Sequence, residues 1–328
     1  MNDSENKIND KTPLTVQRSL MVPSHLAGLR IDRATAVMFP EFSRSRLSDW
    51  IKCGYVQVNG HVTRPRDMAI EGTWVNINAT LEPEVAYLPE AKTLDVRYED
   101  ADLLVINKPP GLVVHPGAGN HSGTLQNALL YYDANLEHVP RAGIVHRLDK
   151  DTSGLMVVAR TLVAHTALVE MLALRQVHRQ YEALVYGELV AGGTINKPIG
   201  RDPRDRVRMA VLENAKPAVT HYRIRERFAA HTLLQVQIET GRTHQIRVHL
   251  ASVRHPIVGD LVYGALKFPR GATPDLKEKL QHFRRQALHA EQLSFIHPTS
   301  KQELTVSAPR PADFEVLLMA MREAEHGA

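Results

Sequence analysis

Residues 143–160 read Gly-Ile-Val-His-Arg-Leu-Asp-Lys-Asp-Thr-Ser-Gly-Leu-Met-Val-Val-Ala-Arg, and this stretch decides how the rest of the chain is read. Apolar segments at 144–146 and 156–159 predict two buried strands, with Arg147, Asp149, Lys150 and Asp151 confined to the turn between them. Charged side chains gathered on one turn between buried strands make a rigidly mounted site. The competing reading is an Asp/Ser/Gly turn satisfied by its own side-chain hydrogen bonds.

Working outward, further strands are predicted at 103–107, 181–186, 219–224, 233–238 and 292–296, and helices at 125–132, 162–174, 244–253, 276–285 and after Pro311. Leu234, Val236 and Ile238 alternate with Gln235, Gln237 and Glu239, which gives one buried and one wet face. Many strands, few helices and no fixed repeat predict an α+β domain with a mainly antiparallel mixed sheet over 94–328. Upstream, 16–80 reads as a small α/β module. Its first helix carries Ile31, Ala34, Val37 and Met38 on one face, and a second starts behind Ser43 as N-cap, holds Arg44, Arg46 and Lys52, and ends at Gly54. A strand at 55–58 turns at Asn59-Gly60, and another covers 74–77. Residues 81–93, with two prolines and three glutamates, read as a linker, and 1–15 as a mobile tail without a signal or anchor pattern.

The chain has 328 residues, 43% hydrophobic and 23% charged, enough for a packed core and against wholesale disorder. A net charge of +4 is small for this length, so an anionic partner must be met by local patches. Two stand out: 16–80 with eight bases against five acids, and 197–227 with nine against four. The single cysteine, Cys53, excludes a disulfide framework and a thiolate cluster, and fits a reducing cytoplasm. No apolar run approaches the roughly 18 residues of a membrane span.

Two more stretches hold candidate chemistry. In Glu239-Thr-Gly-Arg-Thr-His-Gln-Ile-Arg-Val-His-Leu250 a strand runs straight into a helix that Thr243 can cap. Arg242 opposes the positive end of that helix, so either a carboxylate or phosphate faces it or it is a solvated surface arginine. His244 and His249 lie five apart, without the i, i+4 spacing of a zinc helix, so no metal is expected. Arg179-Gln-Tyr-Glu-Ala-Leu-Val185 opens a strand with Tyr181, by itself an ordinary packing residue. Asp151-Thr-Ser-Gly154 matches an aspartic-protease loop, but that chemistry needs two such loops and there is no second copy. Gly117-Ala-Gly-Asn-His-Ser-Gly123 has one residue too many for a dinucleotide fingerprint, and no phosphate-binding lysine loop or nucleophile elbow is present.

His146-Arg-Leu-Asp149 with Lys150-Asp-Thr-Ser-Gly-Leu155 resembles the central motif of the RluA-type pseudouridine synthases. Arg179-Gln-Tyr-Glu-Ala183 and Gly241-Arg-Thr-His-Gln-Ile-Arg247 are similar to the family's second and third motifs, in family order, and the likeness spans 94–310. Residues 16–80 resemble an S4 RNA-binding domain through Ser43-Arg-Ser-Arg-Leu47 and Val56-Gln-Val-Asn-Gly60. The resemblance implies isomerisation of uridine to pseudouridine without cofactor or metal, in a cytoplasmic and monomeric enzyme. The expected partner is 23S rRNA or a large ribosomal subunit precursor, and no membrane. Asn107–Asn120 and Val139–Asp149 resemble the branch of the family that modifies several uridines of helix 69. A related S4-bearing branch acting on other 23S rRNA uridines, and a non-catalytic S4-bearing assembly factor, are the alternatives.

By the same resemblance Asp149 is the catalytic carboxylate. It attacks C1′ of the ribose, supports a glycal route, or adds to C6 of uracil. Arg242 is expected to pair with Asp149, Tyr181 to line the base pocket and assist removal of the C5 proton, and Arg147 to fill the space left by a flipped base. His146 either contacts the RNA backbone or packs. Arg44, Arg46 and Lys52, with the basic stretch 197–227, are the expected RNA contacts.

Overall fold

The computed structural model describes residues 14–81, 88–117, 120, 122–205 and 207–326. They divide into two compact units, one holding 14–81 with Asn135–Pro140 and a larger one holding 88–134 and 141–326.

In the smaller unit, β1 (Leu14–Met21) pairs antiparallel with β4 (Trp74–Leu81), and β2 (Val56–Val58) and β3 (His61–Val62) complete a four-stranded sheet in the order β1-β4-β2-β3. β1 begins at Leu14, inside the expected tail, whose first 13 residues lie outside the described ones. Helices α1 (Ile31–Met38) and α2 (Arg44–Lys52) pack on each other. Ser43 Oγ accepts from the Arg46 N–H at 3.2 Å, the expected N-cap of α2. Asn59 and Gly60 both take positive φ, 48° and 80°, which matches the twist of the β2-β3 hairpin. The α1 stripe differs from expectation. Ile31, Ala34 and Thr35 are buried, whereas Val37 is 58% exposed. Thr35 replaces it because its hydroxyl donates to the Ile31 carbonyl at 2.7 Å and so needs no water.

The larger unit is built on one nine-stranded sheet. Its strands are β5 (Val96–Glu99), β6 (Leu103–Lys108), β7 (Ser153–Ala159), β8 (His178–Tyr186), β9 (Gly193–Asn196), β12 (Val219–Phe228), β13 (His231–Ile238), β14 (Leu288–Ile296) and β15 (Glu303–Ser307). The order is β5-β6-β7-β14-β8-β13-β12-β9, with β15 on β14, and a separate hairpin joins β10 (Ile199–Arg201) to β11 (Met209–Val211). Every described pairing is antiparallel except β7 with β14. The helices are α3 (Leu125–Tyr132), α4 (Leu162–Ala173), α5 (Gln245–Ser252), α6 (Pro274–His282) and α7 (Ala312–His326). β7 is buried at all seven positions. Leu155, Val157 and Ala159 pack with Leu103, Val105 and the α4 residues Ala164 and Leu168 on one face of the sheet. A strand buried on both faces reads as an unbroken apolar run, as residues 155–159 do.

The strand expected at 144–146 is absent. The chain enters this region through a tight turn, Pro140–Gly143, with Arg141 and Ala142 at φ of 53° and 52°, and touches β7 through one bridge, Ile144 to Val158. Of the expected linker, 82–87 lie outside the described residues; beyond them, Glu90 accepts from the Gly123 N–H and Asn127 donates to the Leu88 carbonyl.

Two glycines fix the ends of the 144–153 loop. A Cβ at 143 would lie 1.9 Å from the Ala159 carbonyl oxygen, and one at 154 would lie 2.3 Å from that of Ala290. Both residues have positive φ, 79° and 116°. Gly154→Ala is therefore expected to destabilise the protein by at least about 2 kcal/mol, since a strained φ and a backbone collision add. A lowered urea midpoint at unchanged m is the measurement, and an unchanged midpoint would show that β7 and β14 can separate freely.

Candidate active site

Asp149 sits on the loop that the two glycines fix. The Thr152 N–H closes the turn on the Asp149 carbonyl at 3.1 Å. One residue further, the Lys150 carbonyl accepts from Lys108 Nζ at 2.9 Å, and the same ammonium donates to Pro109 and Leu112 carbonyls at 2.8 and 3.0 Å. Lys108 is wholly buried. Burial pulls its pKa down to about 7, against Asp151 and Asp149, which favour the charged form. Thr152 and Ser153, the protease-like residues, face inward and bond Gln286 at 2.9 Å and His289 at 3.0 Å. That turn is structural.

The carboxylate of Asp149 is oriented from α5. Arg247 Nη1 donates to Asp149 Oδ2 at 3.0 Å, while its Nε and Nη2 grip both oxygens of Asp260 at 2.7 and 2.9 Å. Burial opposes the charge on Asp260, but the Arg247 fork and the Tyr263 and Val262 N–H groups hold its carboxyl below the usual range. Burial likewise works against the Arg247 charge, and the two carboxylates outweigh it and raise its pKa. The expected Arg242–Asp149 pair does not form. Arg242 is exposed and its Nε donates to the Pro217 carbonyl at 3.2 Å. α5 is buried at all six positions from Gln245 to Leu250, so an arginine on its first turn must be buried and paired.

Thr243 does not cap α5. The N-cap is His244 in the left-handed region, φ 56°, and the buried Gln245 amide takes the Arg242 N–H at 3.0 Å while donating to Val219 and Thr220 at 2.9 and 3.0 Å. His249, expected as core or RNA-facing, is core: its ring bonds Thr220 at 2.8 Å and the Lys197 carbonyl at 2.9 Å. His244 Nδ1 lies 2.7 Å from the Tyr263 hydroxyl, which also accepts from the Met209 N–H at 2.8 Å. His244 Nε2 lies 4.0 Å from Asp149 Oδ1.

A cavity of about 60 Å³ brings together Arg147, Asp149, Arg179, Tyr181, Arg242 and Arg247. Three separate sequence stretches thus meet in one place. Arg147 is exposed and makes no hydrogen bond or ion pair among the described residues. Tyr181 is 5% exposed, and burial raises its pKa, partly offset by Arg179 and reinforced by Asp149, so the phenol stays protonated. His146 is outside this lining: its Nε2 accepts from the Val157 N–H at 3.1 Å, and Nδ1 is sealed from solvent.

Residues 102–252 match the family described as RNA pseudouridylate synthase. "Ribosomal large subunit pseudouridine synthase D" of Xanthomonas campestris is 58% identical over 307 residues, 93% of each chain. The protein of the same name from Escherichia coli K12 is 52% identical over 94% of this chain and 95% of its own. The chain belongs to the RNA pseudouridylate synthase family. The solved structure of Human RNA Pseudouridylate Synthase Domain Containing 4 shares the fold at a TM-score of 0.54 and 29% identity, over 69% of this chain and 92% of that one. This pseudouridine synthase has, among its described residues, no helix long and apolar enough to cross a membrane.

Sequence reasoning missed Lys108, Arg247, Asp260 and Tyr263. Arg247 lay inside the quoted third motif, and the nearly continuous burial of α5 was the missing signal. Removing Asp260 would leave Arg247 half-compensated in a dry site, so Asp260→Asn is expected to cost about 3–5 kcal/mol, read from chemical denaturation; a loss below about 1 kcal/mol would show that Asp149 alone suffices. His146 supplies a pH prediction. Burial, then Arg179, pushes its pKa down to about 3, below the unfolded value near ~6.5. Its contribution is intact above the unfolded pKa and is lost as pH falls toward about 3, by about 1.4 kcal/mol per pH unit. His146→Gln, whose amide oxygen can still accept from Val157, should flatten the acid limb of stability against pH.

Proposed function

We propose that this enzyme isomerises uridine to pseudouridine in 23S rRNA of the large ribosomal subunit, at several uridines of helix 69, with Asp149 as the catalytic carboxylate. The observation that carries the assignment of the site is the Asp149–Arg247–Asp260 row. Arg247 fixes one Asp149 oxygen, the other accepts no hydrogen bond among the described residues, and Asp149 lines the cavity. A carboxylate oriented in this way can act on C1′, support a glycal route or add to C6. The target reading is supported by the relatives named ribosomal large subunit pseudouridine synthase D and by the likeness of 107–120 and 139–149 to that branch.

A stacked uridine is out of reach, so it must leave the helix at a cost of a few kcal/mol. Arg147, exposed and unpaired, has the planar guanidinium suited to filling the gap. Tyr181 packs against the extruded base, and its protonated phenol favours that role over proton removal. Arg242 separates the small cavity from a second one of about 580 Å³, lined also by Arg201, Lys216 and Thr243 and by no acid. This is where the RNA chain beside the flipped nucleotide would run, and it gives Arg242 the phosphate partner that its helix-end position called for.

The smaller unit would supply further RNA contacts as an S4-like module. Its arginines are unequally available. Arg44 joins Arg30 in holding the nearly buried Asp32, at 2.7 Å, whereas Lys52 pairs with the exposed Asp49. Arg46 sits half-buried on the first turn of α2. The enzyme works in the cytoplasm as a monomer, with no membrane and no cofactor.

Asp149→Ala is expected to bind rRNA fragments normally and to make no pseudouridine, as read by carbodiimide mapping; product from this variant would remove Asp149 from the mechanism. Mapping rRNA from cells with and without the protein tests the target, and a change confined to sites outside helix 69 rejects it. Lys216→Ala should weaken RNA binding and reduce the slope of log K against log salt by about 1, whereas an unchanged slope would place the RNA elsewhere.

A further inference from the structure

Arg179 lies on β8 two residues before Tyr181, on the same side of the strand, and forms part of the wall of the Asp149 cavity. It is 7% exposed. Its Nε is sealed from solvent without a hydrogen-bond partner, and no carboxylate pairs with the guanidinium among the described residues. The other buried arginine of the cavity, Arg247, is held by two carboxylates. A buried charge with no partner is costly in the free protein and is retained where a ligand completes it. The neighbouring chain is shaped around it: a Cβ at Gly241 would stand 3.0 Å from Arg179 Nη1.

The cavity also has an excess of positive charge. Arg147, Arg179, Arg242 and Arg247 line it against one carboxylate, Asp149. Such a site suits a group that is, or becomes, negative. Pseudouridine formation generates one. When the C1′–N1 bond breaks, its electron pair stays on the base, giving a uracil anion whose charge spreads over N1, O2 and O4. The base then turns, C5 forms the new bond to C1′, the C5 proton leaves and N1 takes up a proton, so that composition is unchanged.

We propose that Arg179 is a catalytic residue whose guanidinium donates to a carbonyl oxygen of the flipped uracil and stabilises the anion released when C1′–N1 breaks. It rests on the reading of this cavity as the uridine site. Donors aimed at charge that develops only during reaction contribute most in dry sites, and loss of one costs roughly 10²–10³ in kcat. Before the bond breaks the same carbonyl is nearly neutral, so Arg179 contributes little to RNA affinity.

The test pairs Arg179→Met and Arg179→Lys with RNA in which the wild-type enzyme makes pseudouridine, carrying uridine, 2-thiouridine or 4-thiouridine at the target. Arg179→Met is expected to lower kcat by about 10²–10³ with RNA affinity within about threefold, and to melt at or above the wild-type Tm because a buried unpaired charge has been removed. Arg179→Lys should recover part of the rate. At whichever oxygen Arg179 contacts, sulfur should slow the wild type and leave Arg179→Met no slower than it already is. The proposal is overturned if kcat of Arg179→Met stays within tenfold of wild type, if the loss lies in RNA affinity, if each sulfur slows the variant as much as the wild type, or if both variants fail to fold. Activity retained by Asp149→Ala would instead remove the cavity as the uridine site, and so separates the two failures.

Discussion

One guanidinium, that of Arg247, holds two carboxylates that would otherwise repel each other across a dry site. The division of its donors is what makes this work. Nε and Nη2 form a fork on Asp260, and Nη1 is left for Asp149. A lysine could reach either acid but could not fix the plane of both. Asp260 is locked in turn by two backbone N–H groups, so the row is rigid from its buried end outward. Asp149 thus has one oxygen committed and one without a hydrogen bond among the described residues. The trio carries a net charge of −1, and Arg147, Arg179 and Arg242 line the wall beside it.

That row would be useless on a loose loop. Lys108 spans three carbonyls and ties the end of β6 to Lys150, next to Asp149. Gly143 and Gly154 let the backbone approach β7 and β14 more closely than any side chain would permit. The parallel contact of β7 with β14 arises here, because β14 adjoins β7 only at His289 and Ala290 before β15 pairs with its second half. The mixed character of the sheet is therefore a local device that brings the Asp149 loop beside the strand carrying Tyr181 and Arg179, which also borders β14.

Alternation and turn chemistry are visible in a sequence, and they located most of the fold. α3 runs over 125–132 as its apolar spacing predicts, and β13 contains the expected alternating segment. Single-sided patterns misled where tertiary context intervened. Ile144 and Val145 are apolar like a strand, but they follow the left-handed turn at Arg141 and Ala142 and meet β7 through one bridge, Ile144 to Val158. Short edge strands such as β9 and β15, four and five residues long, have too little periodicity to stand out. Asp149, Arg147 and Tyr181, each singled out in a short motif, line one cavity. The choice of Arg242 over Arg247 failed because charge next to a helix start is visible in one dimension, whereas burial of a whole helix is not.

The cavity volume constrains how the proposed RNA substrate would enter. At about 60 Å³ the space beside Asp149 is far below the roughly 300–1,000 Å³ of sites that hold small molecules. A uracil base therefore cannot enter without displacing side chains, and the available movements are unequal. Arg247 and Gln245 are each tied by several bonds, Asp149 is held by Arg247, and Tyr181 is packed in the core. Arg147 has no partner, and Arg242 has one long bond to a carbonyl. Both are rim residues and both are cations, so the groups free to move are those that RNA phosphates attract most strongly. On the proposed reading, access and chemistry are thus divided between a yielding charged rim and a fixed floor, and phosphate binding at the rim would open the cavity without disturbing Asp149.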